Sequence, residues 1–130
     1  MSDTSDTSGP GTAPRQVLVV EDEALLALDM HRTITGLGHE VIGPANTIEE
    51  ALGAIEASLP DLALLDVNLG NGQLSFPIAR VLRDAGVPFA FLTGYAASAE
   101  NIDPDFRDVR RLSKPCSPSG LAEAIRSLAS

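Results

Sequence analysis

The chain has 130 residues, enough for one domain with a buried core, and its 44% hydrophobic and 21% charged residues are ordinary for a folded protein. Nine basic and eighteen acidic side chains give a net charge of -9, which argues against nucleic acid as a direct partner, because phosphate binding needs a basic surface. There is no apolar run of about 18 residues and no secretory signal pattern, so we expect a cytoplasmic location and no membrane partner.

Residues 1–14 consist almost entirely of Ser, Thr, Asp, Gly and Pro. A segment with so few apolar side chains cannot offset the entropy lost on ordering, so it is predicted to be a disordered tail. From residue 15 onward, short apolar runs alternate with amphipathic stretches, which is typical of repeated strand–helix units. The sequence therefore predicts a tail over 1–14 and a single α/β domain over 15–130.

Five strands and four to five helices are predicted in this domain. The strands are predicted at 17–20, 39–42, 62–65, 89–92 and 109–113, with Gly43-Pro44 expected to end the second. Helical spacing of apolar residues predicts helices at 26–37, at 48–55 behind a Thr47 cap, at 77–83, and at 118–128 behind a Ser117 cap. A short helix at 96–100, ended by Pro104, would be the fifth.

Polar side chains stand where four of the predicted strands end. Glu21 and Asp22 follow the first strand, Asp66 the third, Thr93 the fourth and Lys114 the fifth. Because the carboxyl ends of parallel strands open on one crevice, three carboxylates, a hydroxyl and an ammonium should meet there. This set suits a divalent cation held next to a phosphorylated carboxylate.

The chemistry of that set favours Mg²⁺, which binds carboxylate, phosphate and water oxygens in near-octahedral geometry. Glu21 and Asp22 would hold the cation against Asp66. Three carboxylates buried together without a cation would raise the pKa of at least one of them through like-charge repulsion. Lys114 offers a positive charge to one phosphoryl oxygen, and Thr93 offers a hydroxyl to another.

Four motifs, in their order and spacing, resemble those of a response regulator receiver domain of two-component systems. They are Val19-Val20-Glu21-Asp22-Glu23, Leu64-Leu65-Asp66-Val67-Asn68, Leu92-Thr93-Gly94 and Ser113-Lys114-Pro115. The resemblance covers the chain from about residue 15 to its end. It implies a flavodoxin-like fold, which is a doubly wound five-stranded parallel sheet of order 2-1-3-4-5 with helices on both faces.

The resemblance also implies a role for each site residue. Asp66 would be the phosphoacceptor, phosphorylated in a Mg²⁺-dependent reaction by a histidine kinase or a histidine phosphotransfer protein. Asp22 would bind the metal directly, Glu21 mainly through water, and Asn68 through its backbone carbonyl. Thr93 and Lys114 would contact the phosphoryl group.

Departures from the receiver pattern concern how phosphorylation is transmitted. Receivers commonly carry an aromatic switch residue three positions before the lysine, and Arg111 stands there. Tyr95 is a candidate to take over part of that role. Arg110 and Arg111 are candidates for a surface that meets partners. Gly70 stands where many receivers have proline, which predicts a more mobile loop.

The leading hypothesis is a stand-alone phosphoacceptor regulator that signals through contact with an unknown output protein or acts as a phosphate sink. It would catalyse only its own phosphorylation and slow autodephosphorylation. The stretch 91–95 loosely resembles the signature of a subgroup of stand-alone receivers called FATGUY, although Leu92 departs from it. A receiver excised from a longer regulator is an alternative.

Three other functional classes were weighed. An aspartyl-nucleophile phosphatase shares the Asp, Thr, Lys and Mg²⁺ set, but it would place a second Asp as general acid where this chain has Asn68. A constitutive binding module without phosphorylation would not need an intact acidic pocket. A flavodoxin-like cofactor binder would offer hydroxyls and amides to a phosphate at its first strand–helix turn, where this chain offers carboxylates.

Overall fold

Five strands alternate with four α-helices in the computed structural model, which describes residues 13–70, 72–94 and 102–130. The strands are β1 (Gln16–Val20), β2 (Glu40–Ala45), β3 (Leu62–Asp66), β4 (Phe89–Thr93) and β5 (Arg111–Ser113). The helices are α1 (Ala24–Gly36), α2 (Ile48–Ala57), α3 (Phe76–Asp84) and α4 (Pro118–Ala129), and a short 3-10 helix spans Pro104–Phe106. The alternation matches the predicted strand–helix units.

All neighbouring strands of the single sheet run parallel, in the order β2-β1-β3-β4-β5. This confirms the predicted fold class and strand order. Every residue of β3 is buried, because helices cover both faces of a parallel sheet and a central strand can then be apolar throughout. The carboxyl ends of the five strands consequently lie along one edge of the sheet.

Two apolar clusters fill the two faces of the sheet. Successive strand residues point to opposite faces, so Leu18 and Val20 join one cluster, while Val17 and Val19 join the other. The first cluster includes buried residues of α2 and α3, and the second includes buried residues of α1 and α4. The alternation along β1 therefore fixes which helices cover which face.

The predicted caps start two of the helices. The Thr47 hydroxyl accepts a hydrogen bond from the Glu50 amide at 3.1 Å, and Ser117 accepts one from the Gly120 amide at 3.0 Å. The Glu50 carboxylate accepts from the Asn46 amide at 3.0 Å, one residue before the position that a capping box would use. The helices thus begin where the sequence indicates, with one altered contact.

The second strand extends beyond its expected end. Gly43-Pro44 does not stop β2, which continues to Ala45 after a register shift against β1. Pro44 has no amide hydrogen to donate, but β2 is an edge strand, so the sheet loses no hydrogen bond that it needs. The Ala45 carbonyl then accepts from the Glu21 amide at 2.9 Å, which fixes the backbone at the end of β1.

The phenylalanines form one aromatic group inside the first cluster. Phe106, on the 3-10 helix, is 1% exposed and packs on three other rings at centroid distances between 5.8 and 6.1 Å. Its partners are Phe76, Phe89 and Phe91. The long connection between β4 and β5 is therefore anchored in the core by one ring.

Two arginines of α3 hold the same connection from outside. The guanidinium groups of Arg80 and Arg83 lie 5.2 and 4.8 Å from the Phe106 ring centroid. Arg80 pairs with Asp103 at 2.7 Å and with Asp105 at 3.1 Å, and Arg83 donates to the Asp105 carbonyl at 2.7 Å. We call this set the arginine clamp.

Some predictions fall outside the described residues. These are Tyr95, the short helix at 96–100, and most of the predicted tail. Where the chain is described, no helix combines the length and the apolar character needed to cross a bilayer.

Candidate functional site

The strand ends bring the predicted polar groups to one edge of the sheet. Glu21 and Asp22 directly follow β1, Asp66 and Thr93 are the last residues of β3 and β4, and Lys114 directly follows β5. Parallel pairing fixes these ends relative to one another; the Lys114 amide, for example, donates to the Thr93 carbonyl at 2.8 Å. The site is thus built by the sheet itself and not by a long loop.

Three carboxylates form a cluster that fits a small divalent cation. Glu21, Asp22 and Asp66 each offer an oxygen, and these oxygens all lie within 4.8 Å of one another. Opposite ligands in a Mg²⁺ octahedron are about 4.2 Å apart, since each bond is about 2.1 Å. Small side-chain shifts, or one bridging water, would close the difference, so the donor set and its spacing suit Mg²⁺.

Lys114 partly neutralises this cluster. Its Nζ lies 2.8 Å from Oδ2 of Asp66 and 3.5 Å from both Glu21 carboxylate oxygens. Glu21 and Asp66 are buried, whereas Asp22 is exposed. One cation facing three carboxylates leaves an excess of negative charge, which a divalent ion would cancel.

Burial and the charges of neighbouring groups shift the pKa values of the ionisable residues in the site. Burial raises the pKa of Glu21 from 4.5 to about 7; the hydrogen bond from the Glu23 amide opposes the shift, and the charge of Asp66 adds to it. Burial also raises the pKa of Asp66, against the opposing effect of Lys114. Burial alone would lower the pKa of Lys114, but Asp66 and Glu21 together hold it above its ordinary value.

The curated relatives are bacterial regulators. A scan against protein-family models finds no match. The phyllosphere-induced regulator PhyR of Methylorubrum extorquens is 34% identical over 115 residues, which cover 85% of this chain and 42% of PhyR. The transcriptional regulatory protein PdtaR of Mycobacterium tuberculosis is 30% identical over 122 residues, which cover 92% of this chain and 58% of PdtaR. The chain thus spans about half the length of these relatives.

Solved structures share the fold over nearly their whole length. SdrG from Sphingomonas melonis is 36% identical with a TM-score of 0.77, over 88% of this chain and 96% of SdrG. A BeF3-activated conformation of SdrG is 37% identical with a TM-score of 0.75. A response regulator of Chloroflexus aurantiacus, 26% identical, gives a TM-score of 0.78 over 90% of this chain and 98% of its own. The chain belongs to the response regulator receiver family. Its membership of the FATGUY subgroup stays a prediction.

Asn68 links β3 of the receiver to the loop that follows. Its amide lies 3.4 Å from Oδ1 of Asp66, and its side-chain oxygen accepts a hydrogen bond from the Gly70 amide at 2.9 Å. The Leu69 amide donates to the Gln73 carbonyl at 2.8 Å, and the Gln73 amide donates to the Gly70 carbonyl at 2.9 Å. These bonds define the loop conformation at the point where the sequence predicts mobility.

Two of the predicted switch residues, Arg110 and Arg111, lie at the start of β5. The Thr93 hydroxyl of the receiver is 3.5 Å from the Leu112 carbonyl, so it faces β5. Arg111 is exposed and stands opposite Phe91 in the parallel pairing, and Arg110 pairs with Glu123 of α4. The exposed guanidinium of Arg111 thus occupies the position where receivers commonly place an aromatic ring.

A cavity of about 630 Å³ opens beside the site. It is lined by Lys114, Pro115 and Gly94 on one side and by α1 residues on the other, among them Leu25, which is 83% exposed, and Leu28. Sequence reasoning missed this cavity because an exposed leucine looks like a core residue in a helical pattern. It gives the receiver an accessible, partly apolar surface next to Lys114.

Magnesium binding to the receiver should release protons and weaken as the pH falls through about 7. Glu21 holds a proton below its pKa of about 7 and is a carboxylate above it, so a cation near Glu21 competes with that proton. Between about pH 8 and about pH 6 the affinity should fall by up to about tenfold. Calorimetric Mg²⁺ titrations in buffers of different ionisation enthalpy measure both effects. Glu21→Gln should remove most of the pH dependence; a Glu21→Gln variant with the native pH dependence would contradict the assignment.

Proposed function

We propose that the chain is a cytoplasmic phosphoacceptor regulator, phosphorylated on Asp66 with Mg²⁺ by a histidine kinase or a histidine phosphotransfer protein. The observation that carries the proposal is the pairing of Asp66 with Lys114 at 2.8 Å inside a three-carboxylate cluster. Asp66 is buried, and its carboxylate contacts Lys114 and lies beside Glu21 and Asp22. A structural ion pair alone would not need two further acidic groups beside it.

Each proposed step uses a group already in position. An Asp66 oxygen attacks the phosphorus of a phosphohistidine, forming an O–P bond as the P–N bond breaks, and the leaving imidazole takes up a proton. Lys114 and Thr93 bind phosphoryl oxygens. Mg²⁺, when bound, neutralises the charge on the transferring group; Asp22 and Asp66 would hold it directly, Glu21 through water, and Asn68 through its backbone carbonyl.

The proposed output is a protein contact, or else competition for phosphate, with the protein acting as a phosphate sink. Turnover on external phosphoesters is disfavoured, because Asn68 stands where an aspartyl-nucleophile phosphatase would place its acid, and an amide is a poor proton donor. Arg111 begins β5 and Arg110 directly precedes it, and β5 contacts Thr93 of the site, which favours both arginines as part of the surface that a partner contacts. PhyR and PdtaR are longer chains, so an output domain in the same protein is the alternative.

Replacing Asp66 with Asn should abolish phosphorylation. We expect the native protein, incubated with acetyl phosphate and Mg²⁺, to gain one phosphoryl group by intact-mass spectrometry and to lose it in acid or in base, because an acyl phosphate hydrolyses readily at both extremes of pH. The Asp66→Asn variant should gain none, since an amide oxygen is a poor nucleophile. Asp29→Asn removes an exposed carboxylate of α1 and should label as the native protein does. Equal labelling of the Asp66→Asn variant would overturn the proposal.

A further inference from the structure

Gly70 brings the backbone of the loop after β3 against the carboxylate of Asp22. It has a φ of +82°, and a Cβ built at this position would lie 3.0 Å from Oδ2 of Asp22. Such a distance is shorter than ordinary van der Waals contact. We propose that Gly70 is a positioning residue for the metal carboxylate: its bare Cα leaves Asp22 the space to turn toward Glu21 and Asp66. The inference rests on the proposed function, because that function supplies the metal.

The loop cannot easily retreat from Asp22. The Gly70 amide is bonded to the Asn68 side chain at 2.9 Å, and the Gly70 carbonyl accepts from the Gln73 amide at 2.9 Å. Both peptide groups that flank Gly70 are therefore tied within the loop. A side chain at position 70 would displace the carboxylate and leave the backbone in place.

The cost of that displacement should depend on the metal. Asp22 is exposed, so in the metal-free protein its carboxylate can rotate into water at little cost. When Mg²⁺ is bound, the carboxylate must face the same point as Glu21 and Asp66. A Cβ at position 70 should thus weaken metal binding and affect the stability of the metal-free protein only through backbone strain.

Gly72 supplies a matched control for the strain. Its φ is +75°, close to that of Gly70, but a Cβ at Gly72 would meet nothing within 4 Å. An alanine at either position has to adopt the left-handed conformation that residues with a Cβ disfavour. The two variants therefore share the strain and differ in the contact with Asp22. Proline, with its φ fixed near about -65°, could not adopt the Gly70 conformation at all.

The test is a set of Mg²⁺ titrations followed by amide NMR shifts of the native protein, Gly70→Ala and Gly72→Ala. We expect the dissociation constant of Mg²⁺ to rise on the order of tenfold in Gly70→Ala, as for other residues that orient a metal ligand, and to stay at the native value in Gly72→Ala. Thermal unfolding without Mg²⁺ should show similar losses in both variants. Equal Mg²⁺ affinities in the two variants would overturn the inference.

Mg²⁺ binding by the native protein distinguishes a failure of the proposed function from a failure of the inference about Gly70. Failure of the native protein to bind Mg²⁺ would overturn the proposed function and the inference with it, whereas native binding with no difference between the variants overturns the inference alone. If alanine prevents folding, Gly70→Asn and Gly72→Asn carry the same Cβ with less strain, because asparagine tolerates positive φ. The same difference in Mg²⁺ affinity is expected between these two asparagine variants. Equal affinities would overturn the proposed positioning role of Gly70.

Discussion

Replacing Lys114 with Ala should lower the free energy of unfolding of the metal-free protein by about 2–4 kcal/mol near about pH 8. Lys114 lies between Asp66 and Glu21, and its side chain is only 15% exposed, so its removal leaves two buried carboxylates without a cation. The remaining charges can escape only by taking up protons or by partial unfolding. Urea denaturation followed by circular dichroism measures the loss.

The pH and metal dependence of this loss identify its cause. Glu21 has a pKa of about 7, so well below that value it is already protonated and depends less on Lys114. The loss should therefore shrink toward about pH 5.5, and saturating Mg²⁺ should restore much of the stability near about pH 8. In an Asp66→Asn background, Lys114→Ala should cost less, because one carboxylate is gone. A loss of the same size under all these conditions would point to lost packing of the lysine stem.

Replacing Phe106 with Ala should destabilise the domain by about 3–5 kcal/mol, the usual cost of removing a buried aromatic side chain. The ring is 1% exposed and contacts three other phenylalanines, and both arginines of the arginine clamp lie over it. The substitution would leave a cavity under the connection between β4 and β5. Chemical denaturation in the presence and absence of Mg²⁺ measures the change.

Two controls test whether the ring itself matters. Phe106→Leu keeps an apolar side chain and should cost less than Phe106→Ala. Val81→Ala removes a side chain of α3 that is 39% exposed, and it should change stability by less than about 1 kcal/mol. A Phe106→Ala variant as stable as Val81→Ala would mean that the 3-10 helix contributes little to the core.

The positions of the strands along the chain and the position of the site are predictable because their signals are local. The three central strands β1, β3 and β4 are short, largely apolar runs, and Asp66 is the polar residue that ends β3, while Lys114 directly follows β5. Parallel pairing then converts positions far apart in sequence into neighbours. The receiver motifs add the strand order, which periodicity alone does not supply.

Other features depend on contacts that sequence position does not reveal. Gly70 and Asp22 are far apart in the chain, and nothing in either residue type shows that a Cβ at position 70 would lie against the Asp22 carboxylate. Arg80 looks like a solvated helix residue until the fold places Phe106 beneath it. The predicted end of β2 was wrong, because proline breaks a strand inside a sheet but is acceptable in a strand at the edge.

The ion pair between Asp66 and Lys114 joins strands that are not neighbours. Asp66 ends β3 and Lys114 follows β5, and β4 lies between them in the sheet. Asp66 therefore meets its cation only after β5 has joined the sheet. During synthesis on the ribosome, a chain that has released β3 but not β5 would hold Asp66 without its lysine partner. The ion pair can therefore form only in a chain whose sheet is assembled as far as β5.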